Sequence, residues 1–367
     1  MINPSIYKIK DQSKVNSPLL LLYPELVQKN IDLIISYIRN VNNLRPHVKT
    51  IKSKPIIEQL IESGIKKFKC ATIQEAKLLG DLKVKDVLIA YPIVGFQIDE
   101  FIAITKEYPN TIFQCTVDST DAAYFIDAKA KEFNLKISVF IDVDLGMGRT
   151  GVKINSVSDL YDELNDFSNI KVVGFHGYDG HIRDVDFEIR QRNIQEYFDE
   201  LLPILKKLEQ DNNRKFIYVF GGSNTFPFYA QIPFIECSPG TFVLWDWGYH
   251  LSLPEQKFQI ASLVFAHVIS KPGINKICIN LGYKAIASEN PLDQRFHFLE
   301  HENWVPLFQS EEHLVILVPD NEWENINISD PIYVIPFHIC PTVAWYPYFQ
   351  VIEKGVPIST FQIAPRY

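Results

Sequence analysis

The sequence predicts an α/β protein: a (β/α)8 TIM-type barrel followed by a second, C-terminal β-rich domain. Three observations point there. First, eight short β-rich runs recur, at Leu44–Thr50, Lys67–Thr72, Asp86–Pro92, Thr111–Val117, Lys136–Val143, Lys171–Tyr178, Lys215–Gly222 and Phe234–Gly240. Second, the spacers mostly read as helices, among them Lys54–Ser63, Gln74–Leu79, Ser119–Phe133 and Phe187–Gln210. Repeated βα units imply parallel strands with right-handed crossovers. Third, helical periodicity largely disappears after about Gly248. Runs such as Phe258–Ile269, Lys276–Asn280, His313–Val318, Pro331–Phe337 and Phe349–Ile352 then read as antiparallel strands. Eight units in 367 residues favour a closed barrel; an open doubly wound sheet is the competing topology.

Upstream of the barrel strands, Ser17–Tyr23 reads as a buried strand that is spare in the count of eight and suits the second domain. A helix follows from Pro24 to about Val41, with proline near its first position. Leu26, Val27, Ile31, Ile34, Ile35 and Ile38 fall on one face of it. The expected division is a barrel at 24–247, with 1–23 plus 248–367 forming the β-rich domain.

Hydrophobic residues make up 47% and aromatics 13%, enough for a sizeable core. The net charge of −8, without any basic block that could track a phosphate backbone, argues against nucleic acid as a partner. Five cysteines, Cys70, Cys115, Cys237, Cys278 and Cys340, form no CxxC pair, and Met1–Lys14 is polar. A reduced, cytoplasmic setting without disulfides is expected. No run of about 18 apolar residues is present, so no membrane span is expected.

The stretch Leu44–Thr50 reads Leu-Arg-Pro-His-Val-Lys-Thr. On a strand, Arg45, His47 and Lys49 would share one face. Three bases on a buried face are costly unless something anionic or electrophilic waits there. Neighbouring cations favour the neutral amine that attacks an aldehyde, and pyridoxal phosphate is an aldehyde carrying an anionic phosphate. The competing reading is a surface lysine after an exposed strand.

In a barrel, the C-terminal strand ends form the active site. Those ends hold Lys49, Asp142–Arg149, Tyr178–His181, Gly221–Thr225 and Ser238–Thr241. Gly221-Gly222-Ser223-Asn224-Thr225 and Ser238-Pro239-Gly240-Thr241 offer backbone N–H groups and hydroxyls to a phosphate, or are simple tight turns. Asp142-Val143-Asp144-Leu145-Gly146-Met147-Gly148-Arg149 holds an arginine for an anionic oxygen, or is a solvated loop with a local Asp–Arg pair. Asp179, His181 and Asp184, following Tyr178, are candidate acids or bases. In His338-Ile339-Cys340, residues i and i+2 of a strand share a face. The imidazole and thiolate could hold one metal, nitrogen plus sulfur favouring zinc, or be a half-buried histidine beside a core cysteine. His313 is a further polar neighbour to consider.

Taken together, these motifs resemble the fold-type III pyridoxal-phosphate enzymes, with an alanine-racemase-like N-terminal barrel. The chain is most similar to the branch holding D-threonine aldolases and D-serine dehydratases. Arg45–Thr50 matches that branch's cofactor-lysine motif. Cys70–Ala76 resembles the next strand and helix start, and Gly146–Gly151 a Gly-x-x-Arg-x-Gly turn. Ser310–His313 and His338–Thr342 resemble the second-domain signature.

The resemblance implies that Lys49 carries the cofactor as an internal aldimine, with His47 in the same motif. Arg149 would bind its phenolic oxygen and Tyr178 would lie near the pyridine nitrogen. Gly222, Ser223, Asn224, Gly240 and Thr241 would bind the phosphate. His338 and Cys340 would bind a divalent metal, zinc or manganese, and a homodimer with shared active sites is implied. His338-x-Cys340 follows the dehydratases, whereas aldolases carry His-x-Asp. Aldolases place a base histidine six residues after the tyrosine; Asp184 stands there, with His181 three residues nearer. The expected activity is a lyase acting on D-3-hydroxy amino acids, a D-threonine aldolase first and a D-serine dehydratase second. An amino-acid racemase and a non-catalytic cofactor carrier are the remaining alternatives.

Overall fold

The protein is described from a computed structural model covering residues 2–12 and 15–366. Of the polar stretch Met1–Lys14, Met1, Ser13 and Lys14 lie outside the described residues. The chain divides into two compact units. One comprises Leu33–Lys49, Leu60–Gly240 and Arg366–Tyr367; the other comprises Met1–Asp32, Thr50–Gln59 and Thr241–Pro365.

Strand β1 (Leu19–Leu22) belongs to the second of these. The first unit holds β2 (Lys67–Cys70), β3 (Asp86–Pro92), β4 (Ile112–Val117), β5 (Ile137–Asp144), β6 (Val152–Lys153), β7 (Ile170–Gly177), β8 (Ile217–Phe220) and β9 (Ile235–Cys237). Seven of these run β2-β3-β4-β5-β7-β8-β9, every pairing parallel, and the two-residue β6 pairs with β5 alone. Helices intervene as the spacing predicts. Side-chain oxygens of Thr72, Ser119 and Asp186 cap Ile73–Asp81, Thr120–Glu132 and Phe187–Asp211, each satisfying an otherwise orphan N–H. Leu88, Phe140 and Val219 pack into a fully buried cluster among the strands.

The expected first strand, Leu44–Thr50, is not a regular strand. Two isolated parallel bridges, Leu44 to Cys237 and His47 to Lys69, set it between β9 and β2. The Arg45 N–H donates to the Cys237 carbonyl at 2.8 Å, and the Lys69 N–H donates to that of Pro46 at 2.9 Å. Pro46 has no N–H to extend the ladder, and Val48–Thr50 coils into a 3-10 turn. The curled parallel sheet thus closes through an irregular eighth segment, and the period-two alternation stops before Lys49.

The second unit is built on a mixed sheet. To β1 it adds β10 (Ser262–Gly273), β11 (Lys276–Ile279), β12 (Phe296–Phe298), β13 (Val305–Gln309), β14 (Leu314–Leu317), β15 (Pro331–Pro336), β16 (Tyr348–Glu353) and β17 (Val356–Gln362). The main order is β13-β14-β11-β10-β1-β16-β17, with β15 joining β10 to β12. β1 pairs antiparallel with β10 and parallel with β16. Its four leucines are buried, as expected of a central strand covered on both faces. Among the described residues there is no disulfide, and no helix is long and apolar enough to cross a membrane.

Candidate active site

Within the barrel unit, Arg45 and Lys49 part company. Arg45 is fully buried and ion-paired to Glu236 at 2.7 Å and Asp86 at 2.6 Å, so its charge is compensated away from any ligand. The expectation that it crowds Lys49 is corrected accordingly. Lys49 is exposed on its 3-10 turn, and its backbone N–H donates to His47 Nδ1 at 3.2 Å. The cation that shares its surroundings comes from β2. Lys49 Nζ and Lys69 Nζ each lie 5.9 Å from the centroid of the Tyr178 ring, and the Arg149 guanidinium lies 5.1 Å from it. Three basic side chains around one aromatic ring make surroundings that suit an anionic ligand.

Tyr178 follows β7 and is half-buried. Two glycines give it room: a Cβ at Gly180 would meet its hydroxyl at 2.3 Å, and one at Gly222 would meet its ring at 2.7 Å. The glycine-rich turn after β8 is braced from below. Thr225 Oγ1 donates to Asp179 at 2.6 Å, and the same buried carboxylate accepts from Tyr197 OH at 2.5 Å and Tyr229 OH at 3.0 Å. Asn224 Nδ2 donates to the Ile182 carbonyl at 2.9 Å, and Ser223 is buried. At Gly240 a Cβ would meet the His47 carbonyl oxygen at 2.6 Å, so the backbone after β9 can lie close to the His47 segment. Thr241 opens the other unit, where its hydroxyl lies 3.7 Å from Cys340 Sγ.

The two carboxylates of the Asp142–Arg149 loop do not pair with Arg149. Asp144 accepts from the N–H groups of Gly146 at 3.0 Å and Gly148 at 2.9 Å and from Lys153 Nζ at 2.5 Å, which folds the turn. Asp142 accepts from Thr150 at 2.8 Å and bonds His176 Nδ1 at 2.7 Å. Burial lowers the pKa of His176 in spite of Asp142 beside it. In the neutral ring, a proton on Nδ1 is the one that Asp142 can accept. His176 Nε2 is buried and has no hydrogen-bond partner. His181 is exposed and sits beside the same turn, its Nε2 3.2 Å from where a Gly146 Cβ would be. Asp184 is engaged elsewhere: its Oδ2 accepts from Asn193 at 2.8 Å and its carbonyl from Arg190 at 2.5 Å.

These residues fit pyridoxal phosphate. An accessible amine at Lys49, the basic side chains of Lys69 and Arg149 beside it, glycine-backed turns and a buried, unpartnered His176 Nε2 form a suitable polar lining. Sequence reasoning missed Lys69, His176 and the supporting role of Asp179. The available signals were a lysine alternating with Phe68 and Cys70, and a histidine two residues before Tyr178 on the same strand face.

In the other unit, His338 and Cys340 are not at a strand end. β15 stops at Pro336, His338 is the N-cap of a short helix, Ile339–Ala344, and Cys340 lies in its first turn. The shared-face argument fails, yet the two remain hydrogen-bonded neighbours. Burial alone would lower the His338 pKa, but Cys340, Asp246 and Glu289 push it up to about 9. Glu289 bonds His338 Nδ1 at 2.5 Å, an arrangement that orients a ligating imidazole. Cys340 Sγ lies 3.2 Å from the Thr50 hydroxyl. Asp246 is buried, which raises its pKa to about 6, and it accepts from the Ile339 N–H at 3.1 Å. Among the described residues no three His, Cys, Asp or Glu side chains gather to hold a metal. His313 lies in the exposed turn between β13 and β14. One imidazole and one thiol are fewer than the four protein ligands of a closed structural zinc site.

The alanine racemase N-terminal domain profile matches residues 24–245, and a serine dehydratase domain profile matches residues 261–352. The chain is 22% identical to 3-hydroxy-D-aspartate aldolase of Paracoccus denitrificans (strain Pd 1222), covering 97% of this chain and 93% of that one. It is 23% identical to D-serine dehydratase of Schizosaccharomyces pombe (strain 972), covering 96% and 92%. In fold it is similar to the crystal structure of D-threonine aldolase from Filomicrobium marinum, with a TM-score of 0.84 at 19% identity over 96% of this chain and 95% of that one.

Proposed function

The chain belongs to the alanine racemase N-terminal domain family, and from that premise we propose that it is a D-threonine aldolase, cleaving a D-3-hydroxy amino acid to glycine and an aldehyde. At the coarser level the chain is a fold-type III pyridoxal-phosphate lyase. The observation that carries the reading is the convergence of Lys49, Lys69 and Arg149 on Tyr178, a residue packed against Gly222 of the phosphate-type turn.

When bound, pyridoxal phosphate supplies an electron sink for charge developing at Cα. Lys49 holds it through its amine, and Ser223, Asn224, Gly222, Gly240 and Thr241 hold its phosphate. Arg149 orients the ring's anionic oxygen. His181, exposed beside the Gly146 turn, takes the proton from the substrate's β-hydroxyl; Asp184 is the second candidate for that role. A divalent metal held by His338 and Cys340, zinc or manganese, would supply Lewis acidity to that hydroxyl.

A second reading is a D-serine dehydratase, favoured by the cysteine of His338-x-Cys340. There Lys49 removes the Cα proton and the β-hydroxyl leaves, giving pyruvate and ammonia. A racemase has no need of the His338/Cys340 pair, and a simple cofactor carrier has no need of the second unit.

Product analysis separates the readings. Purified protein with pyridoxal phosphate and zinc or manganese is expected to yield glycine and acetaldehyde from D-threonine. Pyruvate and ammonia from D-serine, with no aldehyde from D-threonine, would establish the dehydratase instead. Activity is expected to vanish on exhaustive chelation and to return with metal. Lys49→Ala is expected to lose the visible absorbance of bound cofactor; a variant that kept it would remove Lys49 from the centre of the proposal.

A further inference from the structure

Lys69 is a buried basic side chain of the barrel that packing does not explain. It lies on β2 between the fully buried Phe68 and Cys70 and is itself only 3% exposed. Its Nζ donates to Ser238 Oγ at 2.5 Å. Among the described residues no carboxylate forms an ion pair with it. The charged groups around it come from three parts of the chain: Lys49 and Arg45 from the segment before β2, Asp142 from β5, and Asp179 after β7, with the Tyr178 ring 5.9 Å away. Burial, then Lys49, lower its pKa to about 7, while Asp142 and Asp179 oppose the shift. A buried ammonium without a counter-ion costs stability, and an apolar side chain of like size would pack as well. Such a group is useful where an anion arrives. The unpartnered His176 Nε2, on the strand leading to Tyr178, marks the same region as one that awaits a polar ligand.

We infer that Lys69 is a second lysine of the cofactor site, a positioning residue whose neutral amine takes up one solvent proton when the anionic cofactor binds and then serves as its buried counter-charge. This inference rests on the pyridoxal-phosphate reading above. The balance is simple: amine plus proton gives ammonium, and no bond to the cofactor is made by Lys69. Lys49 remains the residue that bonds the aldehyde.

The test uses pyridoxine 5′-phosphate, whose alcohol cannot react with Lys49, so that charge is read without covalent chemistry. Calorimetric titration of the full apo chain near pH 8, in two buffers of different ionisation enthalpy, gives the protons taken up per ligand bound. The wild-type chain is expected to take up most of one proton. Lys69→Met is expected to lose that uptake and bind about tenfold more weakly. Lys69→Arg, a permanent cation, is expected to lose the uptake while keeping more of the affinity than Lys69→Met. Equal uptake in wild type and Lys69→Met, with the variant folded by circular dichroism, would overturn the inference while leaving the cofactor reading intact. Absence of both pyridoxine 5′-phosphate and pyridoxal phosphate binding by the wild-type chain would overturn both.

Discussion

Glycine backing decides where Tyr178 can lie. At Gly222 an added Cβ would press on the tyrosine ring at 2.7 Å, so Gly222→Ala must move either the ring or the phosphate-type turn. Cofactor affinity, followed by fluorescence titration, is expected to fall tenfold or more, with the fold retained because the change lies at a strand end. An unchanged affinity would mean that Tyr178 does not touch the ligand. The turns that carry Arg149, Tyr178 and the glycines were legible as strand ends because the spacing of strands is a local property. Lys69 was not. A lysine in a short β-rich run reads as an exposed residue, and only the closing of the sheet between β9 and β2 turns it inward. The role of Arg45 was misread for the same reason, since its partners Asp86 and Glu236 lie 41 and 191 residues away.

Most elements were readable from periodicity. β3 spans Asp86–Pro92 as predicted, and Phe187–Asp211 extends the predicted helix by one residue. The failures fall where periodicity is interrupted, at Pro46 and at the His338–Cys340 turn. The C-terminal end of Phe187–Asp211 also carries a testable acid response. Glu209 is buried and bonds Lys206 at 3.0 Å, Lys215 at 3.1 Å and the Phe216 N–H at 3.2 Å, tying the helix to the residue that precedes β8. Burial alone would raise its pKa, but these partners hold it down to about 2. A carboxylate with a depressed folded-state pKa stabilises the fold above its unfolded value near 4.3 and loses that contribution as pH falls toward 2. Glu209→Gln is expected to cost about 2 kcal/mol at neutral pH. The difference from wild type in denaturant titrations should shrink below about pH 4. A gap that stays constant down to pH 2 would refute this account.

At the scale of the molecule, the reading of shared active sites requires two copies. Light scattering during size exclusion is expected to give twice the chain mass of 42.4 kDa; a strictly monomeric species with full activity would exclude shared sites. The sequence by itself determined the fold class and the change from barrel to mixed sheet, because both are written in local spacing; Lys49 as cofactor lysine and the His338/Cys340 pair are expectations that rest on the resemblance of their motifs. Tertiary structure alone decided which buried charges are compensated. Arg45 is neutralised by Asp86 and Glu236, Asp179 collects three hydroxyl donors from distant parts of the chain, and Lys69 has no ion-pair partner among the described residues. Electrostatic compensation depends on distances across the barrel, and those are set only when its strands close.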